Sequence, residues 1–331
     1  MEARSWRRYL LGVSIGSASP DAAEDYVNRH TSFGLTFSTG ADFTAIGQAV
    51  LSSSLLPPHV TRQWLKPTSN TPDLRFAVGM PWEIIRVDVP VVTNPESSNS
   101  TNSNPPPARL VDLYTKNGGI GAYYAQFALS PDHGFGFVVF VAGLPPRSGP
   151  DSRFADMMLI NQLTSEAMLS AFEIEGLNQA IERFVGTYTG VENESLTLTI
   201  VAGDGGLGLG VWDWRSGDKD LLKSYFAALH GLPLETVESE PSLRLYPVGL
   251  QDDKQIAFRG VYEPHGNAGG FSQDGRPFSG ACAAWGAVAE PPYGNLGLDD
   301  FVFDLNEAGE ATGVIARGFR QVLQRKGPLV R

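Results

Sequence analysis

Apolar residues in this chain recur first at helical spacing and later, over most of its second half, at strand spacing. Phe43, Ile46, Val50 and Leu51 share one face, which predicts a helix from about Asp42 to Ser52. Thr39 and Asp42 supply a capping pair at its start. Pro57-Pro58 opens a second short helix, and Lys66-Pro67 ends it. Leu74 to Val92 reads as extended, with Phe76, Val78, Trp82, Ile84 and Ile85 as core contacts. Three strand candidates follow, at 108–115, 120–130 and 134–142, and the Pro131-Asp132-His133-Gly134 turn joins the last two as a hairpin. A long helix over about Ser152 to Phe172 then turns Phe154, Met157, Met158, Leu163, Met168 and Phe172 toward the sheet.

From Leu177 onward the period changes to two. Ser195 to Ile200 alternates strictly, as a half-buried strand does. Strand-sized pieces recur at 207–214, 243–250, 256–262, 281–288 and 300–305, separated by Gly, Pro and Asp turns. This predicts an antiparallel sandwich or barrel. The fold class is α+β, with an irregular segment at 1–30, a sheet-and-helix domain at 31–175 and a β-rich domain at 176–331. Asn94 to Pro107 is almost all Asn, Ser, Thr and Pro and reads as a flexible surface loop.

Composition narrows the function classes. A net charge of -11 argues against nucleic acid as a partner, since phosphate binding needs a basic face. No apolar run approaches the ~20 residues a membrane helix needs. The run Tyr9 to Gly16 follows three arginines but is shorter and less apolar than the centre of a secretory leader, which leaves the compartment open and tilted toward the cytoplasm. The single Cys282 reads as a small buried side chain. The five histidines show no metal spacing, and neither metal nor cofactor is expected. Asp252-Asp253 and Asp299-Asp300 read as solvated turn charges. Gly203-Asp204-Gly205-Gly206-Leu207-Gly208 spells a dinucleotide fingerprint, yet strand rather than helix follows it, so it reads as a turn.

The candidate chemistry lies in Tyr114-Thr115-Lys116-Asn117-Gly118-Gly119, between two strand-like runs. An ammonium at the mouth of a strand can hold a carboxylate or tune a base, and adjacent glycines let a substrate approach the strand edge. Lys116-Asn117-Gly118 resembles the third motif of the serine β-lactamase and penicillin-binding-protein superfamily, with Asn where a hydroxyl is usual. Ala45 to Leu56, Arg62 to Pro67 and Gly79 to Ile84 precede it in an order similar to that of fungal β-lactamase-like proteins. Phe184-Val185-Gly186-Thr187-Tyr188 through Asp299 to Phe303 resembles their C-terminal β-rich domain.

The resemblance implies a partial β-lactamase or transpeptidase-like domain and a serine hydrolase or acyl-transferase class, with a possible place in secondary-metabolite biosynthesis. Lys116 would meet a carboxylate or tune a base. Asn117 would stand in for the hydroxyl, Gly118 and Gly119 would permit close approach, and Tyr114 would form a wall. The expected ligand is a small molecule with a carboxylate, amide or ester. The family's Ser-x-x-Lys is missing upstream of the helix at Asp42; Ser216-Gly217-Asp218-Lys219 has the letters but reads as a polar turn, and Tyr26-Val27-Asn28 lacks the flanks of the family's second motif. Catalysis is therefore expected to be impaired. A non-catalytic binder of a small acid or of a partner protein is the rival reading, and a ligand inside the β-rich domain a third. The sheet is expected to need cover from residues 1–30 or from a partner, unless the chain is a truncated product.

Overall fold

In the computed structural model, the described residues are 10–15, 38–93, 108–120, 123–143, 151–229, 231–237, 241–263, 283–290 and 292–327. The expected loop at 94–107, Cys282 and Tyr26 to Asn28 lie outside them. The chain divides into two compact units: residues 4–89 with 110–172, and residues 1–3 and 90–109 with 173–331.

The first unit is built on a seven-stranded sheet. Its strands are β1 (Leu10–Ile15), β2 (Ser69–Asn70), β3 (Phe76–Val78), β4 (Glu83–Pro90), β5 (Ala108–Ile120), β6 (Tyr123–Ser130) and β7 (Phe135–Ala142), in the order β1-β7-β6-β5-β4-β3-β2. The predicted hairpin is β6–β7, turning at Pro131 to Gly134, where Gly134 takes a φ of 65°. Helix α1 (Gly40–Ser52) begins at the expected cap: the Thr39 hydroxyl accepts from the Asp42 N–H and the Asp42 carboxylate answers. Helix α2 (Pro58–Trp64) starts on proline, which suits a first-turn position.

Strand alternation divides the core between two faces. Val89, Val111, Leu113, Phe135, Phe137, Val139 and Val141 pack with Met157 and Leu169 of the long helix α3 (Asp151–Phe184). Val50 packs with Trp82, Ile84, Phe127, Leu129 and Val138 on the other face.

Several expectations change. The 1–30 segment is not irregular throughout: Leu10 to Ile15 forms β1, which pairs in parallel with Gly136 to Val141 and gives β7 a neighbour. The apolar run is thus part of the sheet, and its six residues were too few to show alternation. Ala77, not Phe76 or Val78, faces the core, because the register of this short strand puts its small residue inward. The long helix continues to Phe184 rather than ending near Phe172. Gly176 costs about 1 kcal/mol as a helix interior residue, but strong helix formers surround it and Gln179 bonds Glu175 one turn away. The division between units falls at Phe172 and Glu173, inside this helix.

The second unit is a closed barrel, which settles the choice between sandwich and barrel. Its strands are β8 (Gly186–Gly190), β9 (Leu196–Val201), β10 (Leu209–Ser216), β11 (Lys219–Asp220), β12 (Ser242–Gln251) and β13 (Gln255–Glu263). A two-residue pair, β14 (Pro292–Tyr293) and β15 (Leu296–Gly297), stands apart from β16 (Asp300–Leu305), β17 (Ala311–Ala316) and β18 (Gln321–Gly327). The order β10-β12-β13-β16-β17-β18-β8-β9 closes through antiparallel pairing of β9 with β10, and β11 hangs on β10. Helix α4 (Leu221–Leu229) buries Leu222, Tyr225, Phe226 and Ala227.

The interior is filled by Trp214, Tyr188, Phe301, Phe303, Leu198, Ile200, Leu243 and Leu245, all fully buried. Eight strands leave room for side chains at this density, so a ligand lodged in the barrel gains no support. At the end of α3, the Arg325 guanidinium donates to the carbonyls of Glu182 and Arg183, last-turn acceptors with no partner within the helix, and to those of Val185 just after it and Ala311 in β17.

Two further corrections concern this unit. Residues 283–286 form a helical turn, α5 (Ala283–Gly286), where a strand was expected, because its Ala-Ala-Trp-Gly run favours a helix over an alternating strand. Asp299 and Asp300 are buried rather than solvated: Arg259 meets Asp299 at 3.0 Å, Arg317 meets Asp300 at 3.2 Å, and the Ala289 N–H donates to Asp299. Pairing makes their burial tolerable.

Candidate functional site

The hexapeptide Tyr114 to Gly119 does not stand at the mouth of a strand. It lies within β5, which pairs with β6 through Ile120: Lys116 faces Phe127, Asn117 faces Gln126 and Gly118 faces Ala125. Alternation buries Val111, Leu113 and Thr115, half-buries Asp112 and Tyr114, and leaves Lys116 to Gly119 exposed. The two glycines differ in role. A Cβ at Gly119 would stand 2.8 Å from the Tyr124 ring, so this glycine makes room for its own sheet. A Cβ at Gly118 would meet nothing within 4 Å, so this one opens onto free space.

The residue that organises the site is Glu83, at the start of β4. Its Oε1 lies 2.5 Å from the Lys116 Nζ, and its Oε2 accepts from the Asn117 N–H at 3.2 Å. Its backbone carbonyl accepts from the Thr115 hydroxyl at 2.6 Å. The Lys116 ammonium also donates to the Asn117 carbonyl at 3.1 Å. Among the described residues, its hydrogen-bond partners are the Glu83 carboxylate and this carbonyl.

A rigid turn delivers Glu83 to this point. The Gly79 N–H donates to the Trp82 carbonyl at 2.7 Å, and the Met80–Pro81 bond is cis. The Trp64 indole N–H donates to the Met80 carbonyl at 2.6 Å. Trp82 is buried against Trp64, Tyr114 and Phe127, with ring centroids 5.1, 6.0 and 6.4 Å away. Glu83 escaped the sequence reading because its partner is 33 positions away and its own neighbourhood reads as ordinary strand. The available signal was its place directly after Trp82 in a segment already singled out.

Tyr114 lines a shallow depression of about 580 Å³ beside β5, whose lining includes neither Lys116 nor Asn117, Gly118 or Gly119. Arg62, Lys66, Arg86, Asp112 and Asp132 contribute its charges. Arg86 and Asp112 are joined by two bonds of 2.8 and 3.2 Å, so they largely neutralise each other. Burial, then the Asp112 and Asp132 carboxylates, push the Tyr114 phenol above its ordinary value, so it acts as a neutral hydrogen-bonding surface.

Ser216 and Lys219 pair across the β10–β11 turn, where Gly217 has a φ of 60°, in keeping with a plain turn. The glycine cluster at 203–208 is also a turn. Among the described residues, no group of three or more His, Cys, Asp or Glu side chains gathers to hold a metal, and no helix is long and apolar enough to cross a membrane.

Comparison with known proteins gives this geometry a setting. Residues 176–327 match the family described as the beta-lactamase-like-like, C-terminal domain. A beta-lactamase-like protein of Arthroderma benhamiae is 29% identical over 300 residues, covering 84% of this chain and 46% of that protein. The beta-lactamase-like protein str6 of Strobilurus tenacellus is 27% identical over 142 residues, 41% of each. The chain thus spans less than half the length of these curated relatives. An octameric penicillin-binding protein homologue from Pyrococcus abyssi aligns over 68% of this chain and 42% of its own at 14% identity, with a TM-score of 0.23, too low to inform the fold. Together the sequence matches make the chain similar to fungal β-lactamase-like proteins, and residues 176–327 match the C-terminal domain described for that family.

Proposed function

We propose that the exposed Lys116–Gly119 end of β5, a strand that itself lies between β4 and β6, is the ligand-binding edge of a β-lactamase-like protein of the serine hydrolase and acyl-transferase class, with impaired catalysis. One observation carries this reading. The Lys116 ammonium and the Asn117 N–H converge on a single carboxylate, that of Glu83, beside the open position at Gly118. A cation and a backbone N–H that meet one carboxylate beside an open glycine mark a polar point where a ligand oxygen can reach the ammonium's remaining donor.

The same contacts support the proposed impairment. An acyl-enzyme needs a hydroxyl activated by a base, and among the described residues no serine hydroxyl bonds the Lys116 ammonium. This favours a non-catalytic binder of small molecules bearing a carboxylate, amide or ester. An accessory role in secondary-metabolite biosynthesis is part of the proposal and rests on the family resemblance alone.

The test is labelling of the full chain with a fluorescent penicillin and a fluorophosphonate. The expected result is no covalent adduct, with saturable penicillin binding that Lys116→Ala abolishes. An adduct on a serine would overturn the impairment. Binding that persists in Lys116→Ala would overturn the assignment of the edge.

A further inference from the structure

We propose that Glu83 sets the ligand class of this edge, selecting neutral acyl groups, amides and esters, over carboxylates. The inference rests on the reading of β5 as a binding edge and narrows it. Both carboxylate oxygens of Glu83 are engaged, one on the Lys116 Nζ and one on the Asn117 N–H. These are the two donors a ligand carboxylate would seek. An incoming anion must therefore displace Glu83 or sit beside it as a like charge, and either costs affinity.

A neutral carbonyl meets no such conflict. An ammonium has three N–H donors, and here Glu83 and the Asn117 carbonyl take two. The third is available to an uncharged oxygen, and the ion pair as a whole carries no net charge to favour an anion.

Glu83 cannot simply move away with its strand. The bond from Thr115 to its carbonyl and the buried Trp82 before it fix the backbone, so only the side chain can swing. The pair is partly exposed, with side-chain exposures of 46% for Lys116 and 25% for Glu83. Its strength is that of a surface pair, which makes the discrimination about fivefold rather than absolute.

N-acetylglycine and N-acetylglycinamide differ by this one charge. Each is titrated by NMR into the wild-type chain, Glu83→Gln and Lys116→Ala, with circular dichroism confirming the fold. Glutamine keeps the shape of Glu83 and an acceptor for the Asn117 N–H but removes the charge.

The wild type is expected to bind the amide more tightly. In Glu83→Gln the acid should gain about fivefold while the amide changes less than about twofold. A wild type that prefers the acid, or a Glu83→Gln variant with an unchanged acid-to-amide ratio, overturns the inference. If the amide still binds and Lys116→Ala abolishes that binding, the reading of β5 survives. If neither ligand binds folded wild type or Glu83→Gln, both fall together.

Discussion

Replacing Gly206 with alanine tests whether the glycine cluster before β10 exists to house an arginine. Arg244 and Asp204 form a two-pronged pair at 2.7 and 2.8 Å, with side chains only 11% and 15% exposed. A Cβ at Gly206 would stand 2.2 Å from the Arg244 Cζ, and one at Gly210 would stand 2.8 Å from its Nη1. The backbone at Gly206 suits alanine, so the penalty comes from the expelled guanidinium. Breaking a mostly buried pair costs about 3 kcal/mol, because it strands the partner charge. Alanine returns ~0.4–1 kcal/mol by restricting the unfolded chain. Gly206→Ala should therefore destabilise by about 2 kcal/mol and Arg244→Met by about 3 kcal/mol. The two should not add: with Arg244 gone, Gly206→Ala should be neutral or slightly stabilising. Urea unfolding followed by tryptophan fluorescence reads this cycle, since Trp214 is fully buried in the same barrel. An equal cost for Gly206→Ala in both backgrounds would refute the reasoning.

Two other outcomes follow from the barrel. Arg325→Ala should lower stability by about 2–3 kcal/mol, because three carbonyls at the end of α3 and that of Ala311 in β17 lose a charged donor; Arg325→Lys should recover less than half of the lost urea midpoint. Tyr188, Tyr225 and Tyr262 have phenols pushed well above the ordinary value of 10.0, chiefly by burial. The unfolded chain loses these protons first, so their contribution is whole below about pH 10 and fades as pH rises further. Phenolate absorbance should show these three ionising only as the barrel unfolds, and early ionisation would contradict their burial.

The local parts of the fold were legible because their causes are local. The Thr39–Asp42 cap, the proline start of α2 and the β6–β7 turn each depend on residues a few positions apart. The order of motifs around Trp82 and Lys116 was legible by resemblance. What stayed hidden was non-local. Barrel closure rests on β9 meeting β10, and the engagement of Lys116 rests on a carboxylate 33 positions earlier. The pairing that shelters Asp299 and Asp300 draws on Arg259 and Arg317, 40 and 17 positions away. Strands β17 and β18 were missed because Ala311-Thr312-Gly313-Val314 and Gln321-Val322-Leu323-Gln324 carry too few large apolar residues to announce themselves. Lys116 reads from the sequence as a free ammonium, whereas its Nζ is bonded to Glu83.

The parallel pairing of β1 with β7 has a consequence for the order of assembly. Leu10 to Ile15 is made before its hydrogen-bonding mate at Gly136 to Val141, which follows well over a hundred residues later. Closing so long a loop comes late in folding, since its entropy must be offset by contacts formed first. Until then the outer rim of β7 offers unsatisfied N–H and C=O groups to any passing strand. A partly folded chain is therefore most vulnerable to aggregation along that rim, whose cover is a strand well over a hundred residues away in sequence.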